Sequence, residues 1–561
     1  MGSRADINVE DVVARKRAHR QACIPQEWLL SESTVKQYAA HPIQIFNSRL
    51  VEQVLTPRDL EITNTNEDAT DLVEHIHSGR ISCLETVLAF CKRAAIAHQL
   101  TNCLSEIIFD SALSRARELD QVPASQRKPL HGLPVTVKDS FFIKGYDSSI
   151  GIAALCDRPA QTNSMIVQVL EDLGAVIIAK TTVPQTMLTA DTDSVVFGRT
   201  VNAYSGSMGA AGSTGGEGAL IAMGGSALGF GTDGAGSVRM PAFVNGIVGV
   251  RPSGYHFTVD GQPILGRGVC GTTQLGPTTV AGPLTRSVRD AQLVFRLFWQ
   301  ARLWERDPML LPSPWFNLSL PSRLRIGVWA DHDHVHPLPP VARAFRLAQQ
   351  RLAAAGPHIE LLPFVGPSIA TVWSLQKEFC QLLDLRYLKG LVAMEGATEI
   401  VRRTGILYPP ESTTKSQMSV LEQLHDLNFQ IMALVRGMGK AWNAHGQPLD
   451  AVLWIPAPHP AVPFDEYTDL TFTALFNVID WPAIVFPTGD FADSKLDAST
   501  DGPVAEEDLF GDEDRRVQSL YFGHEESFDG LPLSVQLIGR RGQDEKLLAI
   551  ASKVHDIIKA R

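Results

Sequence analysis

Between Ser205 and Gly236, twelve of thirty-two residues are glycine, far above the usual share of about 7%. A backbone this bare is either a flexible linker or is wrapped closely around something. The apolar residues Leu220, Ile221, Met223, Leu228 and Phe230 stand among the glycines. A linker has no use for them, so the wrapped backbone is the reading that the composition favours.

The flanking sequence alternates helix and strand signals. Asp71 to His77 reads as a short helix stopped by Gly79. Ser82-Cys-Leu-Glu85 is a capping box that opens a helix with Leu84, Val87, Leu88, Cys91 and Ala95 on its apolar face. Leu133 to Val137 reads as a buried strand ending at Lys138-Asp139, and Ala175 to Ala179 as another ending at Lys180. Further on come a strand at Ile326–Trp329, a helix at Val341–Ala355, a helical stretch from Ser368 to Leu391 and strands at Ala451–Ile455 and Leu533–Ile538. The last element is a helix from Asp544 to Ala560. Helix and strand in alternation predict an α/β fold. Residues 1–66 read as an N-terminal helical arm ahead of one large domain over 67–561.

The chain has 561 residues and a formal net charge of −11. Thirteen acids against three bases between Asp490 and Asp529 account for nearly all of it. Their mixture with Gly, Ser and Pro reads as a solvated surface loop, an acidic insertion over about 490–530. The remainder is close to neutral and carries no basic patch, which argues against nucleic acid and anionic lipid as partners. No apolar run is long enough to span a bilayer. The N-terminal residues lack the apolar segment of a signal peptide, and the seven cysteines show no CxxC spacing. A cytoplasmic protein without disulfides, metal or cofactor is expected.

Several short patterns carry little weight. Gly229/Gly231/Gly234 and Gly266/Gly268/Gly271 both fit GxGxxG, yet neither clearly sits between a strand and a helix with an acid about 20 residues later. Asp331, His332, His334 and His336 could chelate a metal but read as a polar loop. Ser33–Lys36 and Ser125–Lys128 match SxxK without the partners that motif needs.

A stronger constellation joins Gly132-Leu-Pro-Val-Thr-Val-Lys138-Asp139, Gly212-Ser213-Thr-Gly-Gly-Glu-Gly-Ala-Leu220 and Gly231-Thr-Asp-Gly-Ala-Gly-Ser237-Val-Arg239. With these three pieces in this order and spacing, the chain resembles the amidase signature family. Its run from LAFCKRAAIAHQLTNC through VPQT to QLIGRR is similar to the fungal acetamidases within that family, over about residues 10–560. The resemblance implies a large mixed β-sheet covered by helices on both faces. It also implies an amidase that cleaves a linear carboxylic amide through an acyl-enzyme. By position, Ser237 matches the nucleophile, Lys138 the base and Ser213 a bridging serine that follows a cis peptide. Gly234, Ala235 and Gly236, with Ser213, fall at the oxyanion and substrate-binding positions, and Met187 falls on the acyl pocket. A small-molecule amide is the implied partner, and a homodimer is compatible with the family.

The chemistry accounts for these residue types. A serine hydroxyl is a weak nucleophile until a base takes its proton, and a lysine can be that base only where its surroundings keep it neutral. Successive backbone N–H groups before Ser237 would meet the developing oxyanion, each worth roughly 2.7–4 kcal/mol. Departures from the family pattern are Gly234 in place of a bulky aliphatic, Ala211 and Ala235 in place of glycines, and Thr214 in place of a serine. If glycine serves a positive φ at 211 or 235, alanine there is strained by roughly 1–2 kcal/mol. Two other functions fit the altered loop: a tailoring amidase or amidotransferase-like enzyme of secondary metabolism, and a catalytically impaired relative that only binds amides.

Overall fold

The structure is a computed structural model that describes residues 8–263, 276–312, 318–330, 333–382, 385–396, 400, 418–498 and 502–560. Gly266, Gly268, Gly271, Asp331 and His332 lie outside the described residues.

Eleven described strands form one sheet. In chain order they are β1 (Leu104–Ile107), β2 (Pro134–Lys138), β3 (Val176–Thr181), β4 (Leu228–Asp233), β5 (Val248–Arg251), β6 (Val280–Thr285), β7 (Leu324–Val328), β8 (Ile359–Pro363), β9 (Ala451–Trp454), β10 (Ala483–Phe491) and β11 (Pro532–Ile538). Across the sheet the order is β1-β3-β2-β4-β6-β5-β10-β11-β9-β7-β8. The sheet is mixed. β2 runs parallel to both β3 and β4, and β7 to both β8 and β9, while the other pairs are antiparallel. Every residue of β2, β3, β4 and β6 is buried. Strands buried on both alternating faces need cover on both sides of the sheet, as the expected architecture requires.

Periodicity located most elements to within a residue or two. The capping box at Ser82 is formed in both directions and opens the helix Cys83–Thr101. That helix is buried on more than its expected face: Ala89, Phe90, Ala94 and Ala97 are inaccessible together with Val87, Cys91 and Ala95. Position explains this, since it is packed between the sheet, the N-terminal residues and the helix Gly215–Ala222. The helical stretch 368–391 holds the described helices Val372–Leu382 and Arg386–Val392, the second ending one residue beyond it. The glycine-rich stretch is a buried helix, Gly215–Ala222, followed by β4. Gly229 and Gly231 therefore lie inside a strand, not in a phosphate-binding turn.

The N-terminal arm and the acidic stretch are both built into the fold at several points. The N-terminal residues form the helices Val9–Ala22, Glu32–Tyr38 and Pro57–Ile62 with short turns between them, but the main apolar cluster takes in Ile24, Trp28, Ile45 and Leu55 and continues past residue 66 to Ile558. The acidic stretch is only partly a solvated loop. It contains the end of β10 and the helix Asp512–Tyr521, and two of its acids are buried: Asp497 binds Arg343 at 2.5 Å and Asp514 binds His336 at 2.6 Å. Charge count alone did not separate these two from their exposed neighbours, because their partners lie more than 150 residues away. No helix among the described residues is long and apolar enough to cross a membrane. The six described cysteines are free.

Candidate active site

The parallel register of β2 decides what its last residue meets. Lys138 is aligned with Thr181 on β3, and Val137 with Phe230 on β4. The lysine side chain is thus delivered between the end of β4 and the turn that precedes Gly215. It is fully buried. Its Nζ donates to Ser213 Oγ at 2.7 Å and to Thr232 Oγ1 at 2.7 Å. Burial lowers its pKa to about 7, against the opposing pull of Asp233 and Asp139. Neutral and protonated lysine are then both populated near neutral pH.

Ser213 sits after a cis peptide bond from Gly212. A Cβ at position 212 would lie 2.6 Å from the Thr189 carbonyl oxygen, so glycine is there because the backbone of residues 189–190 passes close by. Ala211 does adopt a left-handed backbone, with φ of 55°, and its carbonyl accepts from Thr192 Oγ1 at 2.7 Å. Ala235 does not, and the strain expected for an alanine at a positive φ falls on position 211 alone.

Ser237 is half-buried on the turn that follows β4. Among the described residues its hydroxyl makes no hydrogen bond, whereas Lys138 and Ser213 are joined directly; Ser237 follows Thr232, the second partner of Lys138, by five residues. The turn is held by Asp233. This carboxylate accepts from the backbone N–H of Gly236 at 2.9 Å, of Val238 at 3.3 Å and of Arg239 at 3.3 Å. The guanidinium of Arg239, itself fully buried, donates to both Asp233 oxygens. Burial alone would raise the Asp233 pKa, but the charge and hydrogen bonds of Arg239, together with the Arg251 charge and the Asn477 hydrogen bond, outweigh it and bring the group down to about 2.

The Gly236 N–H, expected at the oxyanion, donates to Asp233 Oδ1 in this turn. The Ala235 and Ser237 N–H groups make no hydrogen bond among the described residues, so they are the candidates that are left, with half-buried Gly234 beside them. Gly236 has a different requirement: its φ is +123°, and a Cβ would lie 2.2 Å from Thr473 Oγ1. That same hydroxyl donates to the Ala235 carbonyl at 2.7 Å.

Met187 is half-buried and packs on a separate apolar cluster that includes Ile150, Ile152, Val183, Leu385 and Leu388. It and Thr186 both take positive φ, 62° and 70°, and the Thr186 N–H is held by the Ile150 carbonyl at 3.0 Å. Sequence reasoning missed Thr232, Asp233, Arg239, Thr473 and Asn477, whose Nδ2 donates to Asp233 Oδ1 at 3.0 Å. Arg239 was within the quoted motif, and its identity as a long cation in an apolar run was a usable signal. Thr473 and Asn477 gave none. No group of acids, histidines and cysteines among the described residues is arranged to hold a metal ion.

The amidase family matches residues 85–548. The chain belongs to the amidase signature family. It is 34% identical to an amidase of Gibberella moniliformis over 99% of this chain and all of that one. It is 30% identical to the acetamidase of Emericella nidulans over 98% of each. Its fold superposes on a fatty acid amide hydrolase structure with a TM-score of 0.87 at 26% identity, over 98% of this chain and 95% of that one. This amidase is an amide-hydrolysing enzyme with the mixed α/β sheet of its family.

Proposed function

We propose that this amidase cleaves an uncharged linear carboxylic amide to the acid and ammonia or an amine, with Ser237 as nucleophile, Ser213 as bridge and Lys138 as base. The observation that carries the reading is the buried Lys138 amine, poised near pH 7 and bonded to the Ser213 hydroxyl.

In this reaction the Ser237 oxygen attacks the amide carbon as its proton passes to Ser213 Oγ and the Ser213 proton passes to Lys138 Nζ. The carbonyl π pair moves onto oxygen, where the Ala235 and Ser237 N–H groups receive it. The C–N pair then leaves with the nitrogen, which takes a proton back from Lys138 through Ser213. An ester to Ser237 remains. Water attacks that ester by the same relay, releases the acid and restores the Ser237 hydroxyl. Thr232, as the second acceptor of the Lys138 amine, keeps the lone pair and protons of the base in register with Ser213.

The apolar cluster against Met187 supports an uncharged acyl group, since a carboxylate or ammonium there would lose its hydration without a partner. The test is a series of amides from acetamide to aryl and long acyl amides, with a serine-reactive fluorophosphonate to locate the modified residue. Turnover of neutral amides and labelling at Ser237 are expected. Labelling elsewhere would overturn the assignment of the nucleophile.

A further inference from the structure

The reaction as written leaves a buried set of charges next to the site unused, and its key member comes from the N-terminal residues. Lys16, on the helix Val9–Ala22, is 7% exposed. Its Nζ bonds Asp147 Oδ2 at 3.0 Å and also Glu106 Oε1 on β1. Burial would lower the Lys16 pKa, but Glu106 and Asp147 outweigh it and raise the group, so it is a cation. The rest of the helix is fastened to the same edge: Arg17 donates to the Val195 and Val196 carbonyls, Arg20 to the Leu104 carbonyl and Arg15 to Asp157.

Asp147 also accepts from the N–H groups of Asp157 at 2.7 Å and Arg158 at 2.8 Å. Lys180 of β3 donates to Ser148 Oγ at 2.5 Å and to the Asp147 carbonyl. Three residues further on, the Ile150 N–H donates to Asp139 Oδ2 at 2.6 Å, and Asp139 Oδ1 accepts from Ser105 Oγ at 2.8 Å. Asp139 follows Lys138 directly. Ile150 also holds the Thr186 N–H and belongs to the cluster against Met187. The segment 147–150 therefore runs from Lys16 to both the base and the acyl pocket.

We propose that Lys16 is a positioning residue of the amidase centre: by neutralising Asp147 and Glu106 it fixes residues 147–150 against Asp139, and through them the surroundings of Lys138 and Met187. This rests on Lys138 being the base. Lys16 lies outside the region that the family matches.

The charge balance gives the expected sign. Glu106, Asp139 and Asp147 face two ammonium groups, Lys16 and Lys180, with the Cys156 thiol within reach of the same charges; at Lys138 the facing charges are Asp139 and Asp233. Without Lys16, three carboxylates face one ammonium, and the more negative surroundings favour protonated Lys138. The acid limb of the pH profile then moves up. A half-unit move lowers kcat/KM about threefold below the midpoint.

The experiment compares pH profiles of kcat/KM for the full chain and its variants on one neutral amide, each normalised to active sites titrated with fluorophosphonate. Lys16→Met is expected to raise the midpoint by about half a unit, Lys16→Arg to keep it, and Lys16→Met with Glu106→Gln to bring it back. Glu106→Gln alone removes a negative charge and is expected to lower the midpoint. It decides the matter even if Lys16→Met does not fold. Midpoints per active site that stay at the wild-type value in Lys16→Met or, where that variant does not fold, in Glu106→Gln would overturn the role of Lys16. So would a Lys16→Arg profile displaced as far as that of Lys16→Met. An active Lys138→Ala would overturn the catalytic assignment itself, which separates the two failures.

Discussion

Arg239 clamps Asp233 with two hydrogen bonds of 3.0 Å, Nε to Oδ2 and Nη2 to Oδ1, and neither side chain is exposed. The carboxylate is the acceptor for the turn that carries Ser237, so the ion pair sets where that serine stands. Removing one member leaves the other charged and buried, a loss of roughly 3–5 kcal/mol. Asp233→Asn keeps the shape but leaves Arg239 uncompensated. It is expected to lower the apparent Tm and to cut kcat more than it changes KM, because the turn holds the proposed nucleophile and not the proposed acyl pocket. A kcat equal to wild type in a destabilised Asp233→Asn would show that the turn keeps its shape without the charge.

Ser237→Ala is expected to abolish hydrolysis with the fold retained, since it removes one hydroxyl from a half-buried turn. Lys138→Ala should be equally inactive. Ser213→Ala should be severe yet leave a measurable rate, because water can occupy the space of the lost hydroxyl and relay the proton. Turnover above about a few per cent of wild type in Ser237→Ala, measured with the active fraction known, would remove it as nucleophile.

How much of this centre could be read beforehand depended on sequence distance. Lys138 was legible because LPVTV has no polar residue but one threonine, so the strand had to end where the charge begins. Ser213 and Ser237 were legible as pieces of a pattern with fixed spacing. The restraint on their geometry was not. Thr473 and Asn477 reach the Ser237 turn from about 240 residues away, and Lys16 reaches Asp147 across 131. Neither contact leaves a local trace in composition or periodicity. The Gly236 N–H was read as an oxyanion donor because proximity to Ser237 was visible and the competing Asp233 acceptor was not.

Activity should rise with pH through the Lys138 transition. As the proposed base, Lys138 works when neutral, and its folded pKa, about 7 against the usual 10.5, means that it is protonated and inactive below that value and free above it. The expected profile of kcat/KM climbs from about pH 6 and levels off by about pH 8. An enzyme that stays folded and loses activity steadily over that range does not use this lysine as its base.

Two alanines stand where the family pattern has glycine, and the backbone separates their roles. At Ala211 φ is 55°, so Ala211→Gly relieves roughly 1–2 kcal/mol of left-handed strain and gives back about 0.4–1 kcal/mol through the freer unfolded chain. A small net gain is expected, read as an unchanged or slightly higher Tm. At Ala235 φ is not positive and no strain is relieved, so Ala235→Gly only frees the unfolded chain and is expected to lower the Tm slightly. Its effect on catalysis must come from the methyl group or from backbone freedom, because the N–H remains and Thr473 still holds the carbonyl at 2.7 Å. If the methyl narrows the space around the scissile carbonyl, the glycine variant gains kcat/KM on bulky amides relative to acetamide. An equal gain on all substrates, up to about tenfold for each 1.4 kcal/mol, would contradict that, since strain relief is the only account of a uniform gain and the backbone at 235 shows no strain to relieve.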